Sequence, residues 1–208
     1  MIKNIIFDVG NVLLHYQPNF LLDEMQLDSQ TKQTIMRAVF RHPIWLDCDR
    51  GVVRDEHLPE AFIANAPECE SEIRALYDRI EKVVELMPHT IPWVSSLKER
   101  GYHLYVLSNY GASLFERTKH KMEFLPYMDG GIFSYECGVI KPDKAIYELL
   151  MKRYELEPSE CVMLDDMPEN VAGAIEAGMQ AIRFVNAQQA QSELDYILNQ
   201  DTEEELEA

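Results

Sequence analysis

Ile5-Ile6-Phe7-Asp8-Val9-Gly10-Asn11-Val12-Leu13-Leu14 decides the fold of this chain. Residues 5–7 form a short apolar run, β-branched in part and closed by an acid and a glycine. That is the pattern of a strand buried on both faces of a parallel sheet. A carboxylate at the end of such a strand, just before a glycine turn, stands at the C-terminal edge of the sheet, where open α/β sheets place their chemistry.

After Pro88 strands and helices alternate. Residues 92–100 read as a helix stopped by Gly101, and residues 102–107 as a strand running into Ser108-Asn109. A helix over 113–121 follows, then a short strand over 131–134 with Gly130-Gly131 as the turn before it. Residues 143–153 read as a helix just after Lys141-Pro142, and residues 161–164 as a buried strand ending on Asp165-Asp166. A helix over 170–177, stopped by Gly178, and a strand over 181–185 complete the pattern. This alternation implies an α/β fold with a doubly wound, mostly parallel, Rossmann-like sheet.

Residues 17–86 follow a different rhythm. Phe20-Leu21-Leu22 with Met25, Ile35-Met36 with Val39-Phe40, and Ile73 with Leu76-Tyr77 and Ile80 recur at helical spacing, with breaks at Pro43, Gly51 and Pro67. Four helices and no strand are expected. An all-helical insertion after the first strand would form a cap over the sheet's active edge. The expected division is a core of residues 1–16 and 87–200, a helical cap of residues 17–86, and a frayed acidic tail of residues 201–208.

The 208 residues carry 19 Lys and Arg against 36 Asp and Glu, a net charge of −17. Nucleic acid and anionic membrane both require a basic face, so neither is expected as a partner. No apolar stretch nears the ~18–20 residues that span a bilayer. The chain runs from Met1-Ile2-Lys3-Asn4 straight into the first strand, a start that fits no signal peptide. Cys48, Cys69, Cys137 and Cys161 are scattered without a CxxC pair, so reduced structural thiols in a cytoplasmic protein are expected. No heptad pattern appears, and a monomer is expected. The acidity also means that an anionic substrate needs a local cation to hold it.

In a parallel sheet the strand ends at Asp8, Ser108-Asn109 and Asp165-Asp166, together with Lys141, converge in one crevice. Three carboxylates meeting there without a cation would repel by about 4 kcal/mol per pair at about 4 Å and an effective dielectric of about 20. A hard divalent ion relieves this, and Mg²⁺ prefers one or two carboxylates, water and a phosphate oxygen. The crevice therefore reads as a site for a metal and a phosphate. His89, His103 and His120 have no metal-ligand spacing, and Trp93 reads as core.

This set of residues resembles the haloacid dehalogenase-like hydrolase superfamily. The matching segments are Phe7-Asp8-Val9-Gly10-Asn11-Val12, Leu107-Ser108-Asn109, Gly138-Val139-Ile140-Lys141-Pro142 and Leu164-Asp165-Asp166, spread over roughly residues 3–186. Asp165-Asp166-Met167-Pro168-Glu169-Asn170, then Gly173-Ala174 and Ala177-Gly178-Met179, resembles the small helical-capped subgroup. Within it, the first motif and Asp49-Arg50-Gly51 are similar to bacterial sugar-phosphate phosphatases of the alpha-D-glucose-1-phosphate phosphatase kind.

The resemblance implies a Mg²⁺-dependent phosphatase acting on a small phosphorylated metabolite, with a sugar phosphate as candidate. Asp8 would be the nucleophile that forms an aspartyl-phosphate, a role open to a carboxylate without activation. Mg²⁺ would be held by Asp8, the backbone carbonyl of Gly10 and Asp166, with Asp165 acting through water or by orienting a ligand. Ser108 and Asn109 would bind the phosphoryl group, Lys141 would neutralise charge on it and on Asp8, and Asn170 would orient Asp165.

One position departs from the family pattern. A phosphatase of this kind carries an acid–base Asp two positions after the nucleophile, where this chain has Gly10. Acid–base catalysis contributes ~10²–10⁴-fold, so slow turnover or a borrowed proton donor is expected. The candidates are His15, His42, Asp47 and Asp49. Trp45, Phe40 and Met36 are candidates to line a pocket under the cap, and Arg50 and Arg54 to grip the substrate. Two other readings remain. One is a non-catalytic phosphate- or metal-binding module of the same fold, which Gly10 keeps open. The other is a haloacid dehalogenase, which would have no use for the Asp165-Asp166 pair.

Overall fold

The computed structural model describes residues 1–53 and 57–206, the last six as helix backbone alone. Its centre is a five-stranded parallel sheet in the order β5-β4-β1-β6-β7. These strands are β1 (Asn4–Phe7), β4 (His103–Ser108), β5 (Gly130–Phe133), β6 (Cys161–Asp165) and β7 (Gln180–Arg183). Strand β1 lies in the middle, with Phe7 level with Val106 of β4 and Leu164 of β6. All four of its residues are buried, which is why Ile5, Ile6 and Phe7 read as a continuous apolar run.

Alternation along the strands feeds two apolar layers. Ile5, Phe7, Leu104, Val106, Val162 and Leu164 face one layer, together with Trp93, Val94 and Leu97 of α6 (Thr90–Glu99). Ile6, Tyr105, Leu107 and Met163 face the other, against Ile146, Tyr147 and Leu150 of α8 (Lys144–Tyr154) and Ala174 of α9 (Pro168–Glu176). Helices on both faces make the sheet doubly wound, the α/β architecture that the alternating pattern implies.

Between β1 and α6 lie α1 (Pro18–Glu24), α2 (Ser29–Ile35), α3 (Pro43–Asp49), α4 (Leu58–Asn65) and α5 (Glu70–Tyr77), with a π-helical stretch at Met36–Phe40. This makes five helices among the described residues where the periodicity suggested four. The α2 start is capped by Asp28, whose carboxylate accepts from the Gln30 and Thr31 amides. Leu21, Leu22, Ile35, Val39, Phe62, Ile73 and Leu76 join the same apolar layer as Phe7, so the helical segment packs onto the sheet through continuous core.

Two expectations are corrected. The segment is not purely helical: β2 (Leu14–Tyr16) and β3 (Val84–Leu86) pair antiparallel and tie its two ends together. Gly130 and Gly131 lie inside β5 rather than in a turn, because a Cβ on Gly131 would come within 2.2 Å of the Val106 side chain on the neighbouring strand. The last helix of the described residues, α10 (Ala187–Leu206), packs along the core. That helix is docked by Ala190, Leu194 and Leu198, spaced four apart on one face.

Candidate active site

Asp8 follows β1 directly, and its amide donates to the Leu164 carbonyl at 2.9 Å, which carries the sheet register one residue past the strand. Its neighbours at the same edge are Ser108, the last residue of β4, and Asp165, the last residue of β6. Lys141 precedes α8 and is nearly fully buried. Its Nζ lies 2.9 Å from Asp8 Oδ1 and 2.5 Å from Asp165 Oδ2, so one ammonium bridges two carboxylates from different strands.

Asn109 fixes the backbone that delivers this lysine. Its Oδ1 accepts from the Lys141 amide at 2.7 Å and its Nδ2 donates to the Lys141 carbonyl at 2.9 Å. Both ends of the carboxamide are thereby engaged. The side chain that the motif assigned to the phosphoryl group thus braces the lysine, and it also lines the cavity in front of Asp8. Ser108, buried at the strand end, lines the same cavity.

Asp165 is completely buried and fully engaged. Oδ1 accepts from the Met167 amide at 2.9 Å and from Asn170 Nδ2 at 3.0 Å, and Oδ2 accepts from Lys141 and, at 3.1 Å, from Asn170. A carboxylate offers about four lone-pair directions, so Asp165 has none to spare. It holds Lys141, and Asn170 holds it. Asp166 is freer, half-buried, and accepts from Asn11 Nδ2 at 2.9 Å.

Asn11 received no role from the sequence, although its place after Gly10 is part of the signal. Its φ of +57° puts it in the left-handed region, where Asn is one of the few residues tolerated. In that conformation it reaches Asp166 with one end and accepts from the Tyr16 amide at 3.1 Å with the other.

The charges do not balance among these groups. Asp8, Asp165 and Asp166 each offer an oxygen within 4.8 Å of the others, against the one ammonium. Burial, opposed by Lys141 and reinforced by Asp165 and Asp166, pushes the Asp8 carboxyl up to about 7. Burial raises Asp166 as well, outweighing its bond from Asn11. For Lys141 burial disfavours the charge, but Asp8 and Asp165 prevail and hold it above its ordinary value. An all-oxygen cluster with excess negative charge fits a hard divalent cation.

The cavity over this edge measures about 220 Å³ and is walled on the far side by Tyr16, Trp45, Asp49, Tyr110 and Leu114. Of the three candidates to line a pocket, Trp45 reaches it, Phe40 backs the Trp45 ring at 5.1 Å, and Met36 is buried in the apolar layer. Of the four candidate proton donors, only Asp49 lines the cavity. His15 is exposed on β2, His42 accepts from the Ile44 amide at the start of α3, and Asp47 pairs with Arg50 at 3.4 Å. Arg54 lies outside the described residues.

A sequence-family model described as haloacid dehalogenase-like hydrolase matches residues 2–178. Flavin mononucleotide hydrolase 1 of Arabidopsis thaliana is 26% identical over 153 residues, which cover 71% of this chain but only 59% of that protein. D-ribitol-5-phosphate phosphatase of Bacteroides thetaiotaomicron is 23% identical over 208 residues, covering 96% of this chain and all of that protein. A solved enzyme of the same superfamily from that organism, in complex with magnesium and inorganic phosphate, superposes with a TM-score of 0.71 at 19% identity. The match covers 88% of this chain and 94% of that one. At that identity the likeness speaks for the fold.

Proposed function

The chain belongs to the haloacid dehalogenase-like hydrolases, and we propose that it is a Mg²⁺-dependent phosphatase that cleaves a small phosphorylated metabolite through an aspartyl-phosphate on Asp8. The observation that carries this reading is the buried Lys141 ammonium bridging Asp8 and Asp165, with Asp8 and Lys141 lining a cavity that also takes in Ser108 and Asp166.

In this reading Mg²⁺ would be held by Asp8, the Gly10 carbonyl and Asp166, with Asp165 outside its direct reach because its oxygens are engaged. Bound there, the ion would offset the charge shared by the carboxylates and the phosphoryl oxygens. Asp8 attacks phosphorus; Lys141 opposes its protonation and draws charge from the transferring group. The Ser108 hydroxyl and the Asn109 carboxamide donate to the phosphoryl oxygens, and Asn109 also holds the Lys141 backbone. Residues 17–86 form the cap, and the organic part of the substrate lies against Tyr16, Trp45, Tyr110 and Leu114. A sugar phosphate, as the motifs suggest, is one candidate. Flavin mononucleotide and polyol phosphates are others, because relatives are named for them.

The test is phosphate release from a panel of sugar phosphates, polyol phosphates and flavin mononucleotide, with Mg²⁺ and with EDTA, by wild type and Asp8→Asn. Release that needs Mg²⁺ and vanishes in Asp8→Asn is expected. Release that persists in Asp8→Asn would remove Asp8 from its role. No release from any compound, with phosphate still bound, would favour a binding module, the reading that Gly10 supports.

A further inference from the structure

Building on the phosphatase reading, we propose that Asp49 replaces the acid–base carboxylate absent at position 10, protonating the departing oxygen and then accepting a proton from the attacking water. Asp49 is the last residue of α3 and shares a helix face with Trp45, four residues earlier. Both side chains line the cavity that Asp8 and Gly10 line from the sheet edge. At Gly10 an added Cβ would meet no atom within 4 Å, so the space an acid would occupy there is open to a group reaching in from α3.

The end of α3 is held to the sheet at three points. Ser134 Oγ donates to the Asp49 carbonyl at 2.5 Å while accepting from the Tyr110 amide at 2.9 Å. Gly111 packs so closely on the Cys48 carbonyl that a Cβ would stand 3.3 Å from it. Gly51, with φ of +68°, lies against the Tyr135 carbonyl, where a Cβ would come within 2.7 Å. The carboxyl is thus placed by packing, as a proton carrier must be. Among the described residues it takes part in no hydrogen bond or ion pair, whereas Asp47 is held by Arg50.

Its surroundings suit the role. Burial and the Asp8 charge, opposed by Arg50 just past the helix, push Asp49 up to about 7. Tyr16 from β2 and Tyr110 from the segment after β4 also face it, each raised further by its charge. Lys141 and Asp166 line the same cavity. A group that titrates near neutrality can both give and take a proton there.

The chemistry balances in two steps. Asp8 forms a bond to phosphorus as the bond from phosphorus to the leaving oxygen breaks, and the Asp49 proton goes to that oxygen. Water then forms its bond to phosphorus and gives a proton to the Asp49 carboxylate. Asp8 leaves as a carboxylate, and phosphate is released.

The experiment follows kcat/KM for Asp49→Asn across aryl and alkyl phosphates of graded leaving-group pKa, beside wild type and the double variant Asp49→Asn with Gly10→Asp. The deficit should grow as the leaving group becomes poorer, reaching ~10²-fold for alkyl phosphates, and the double variant should recover part of it. A uniform deficit across the series would overturn the proposal and leave Asp49 as a positioning residue. A second readout does not depend on turnover. In metal-free protein with ¹³C-labelled carboxyls, the resonance lost in Asp49→Asn or Asp49→Ser should titrate near neutrality. Titration in the ordinary carboxylate range would overturn the assignment even if wild type cleaves nothing, an outcome that by itself would count only against the phosphatase reading.

Discussion

Gly10 leaves the sheet edge without a side chain at the position two residues past Asp8, and nothing within 4 Å blocks one. Its φ lies outside the left-handed region, so Gly10→Asp introduces no backbone strain of that kind. The variant is expected to fold and, in the Asp49→Asn background, to accelerate cleavage of poor leaving groups most, by up to ~10²-fold; equal gains on good and poor leaving groups would count against an acid role at this edge. Lys141 makes the opposite point. It is the single ammonium between Asp8 and Asp165, and Lys141→Met leaves both carboxylates buried without it. Unfolding in denaturant should then fall by about 3–5 kcal/mol at neutral pH. The loss should shrink when Asp165→Asn is added, because one of the stranded charges is then gone.

At the scale of elements, what matters is how α3 meets the sheet. The sequence marks this helix by Pro43 at its start and Gly51 past its end, but its seat depends on Ser134, Gly111 and Tyr135, which are 60 or more positions away. Gly51 bears both a left-handed φ and contact with a backbone oxygen that cannot rotate aside. Gly51→Ala should cost at least the ~1–2 kcal/mol of forcing a Cβ into that conformation, seen as a lowered denaturation midpoint. A midpoint equal to wild type would mean that α3 is not seated as described. The ribbon of β2 and β3 was illegible for a related reason. Val84–Leu86 is three residues long, and only its partner across the insertion, Leu14–Tyr16, makes it a strand.

For the whole molecule, burial of carboxyls near the sheet edge couples folding to pH. Asp49 moves from 3.8 to about 7 on folding. A carboxyl raised in the folded state adds stability that is full below its unfolded pKa and is lost as pH rises through its folded one. Between about pH 4 and about pH 7, metal-free wild type should therefore lose stability relative to Asp49→Asn. The comparison with the variant removes the opposite contributions of Asp28 and Asp129, whose carboxyls are lowered on folding. Urea unfolding in EDTA across that window measures the difference, and parallel curves would contradict it. The strand runs ending on Asp8, Ser108 and Asp165 were legible because a strand buried on both faces is apolar throughout and its first polar residue marks the sheet edge. The sheet, its parallel sense and the convergence of those residues with Lys141 follow from this pattern alone. The engagement of Asn109 with Lys141, the saturation of Asp165 and the entry of Asp49 into the cavity do not. Periodicity tells which side of a helix is covered, but not what covers it. That was decided by close packing between segments far apart in the chain.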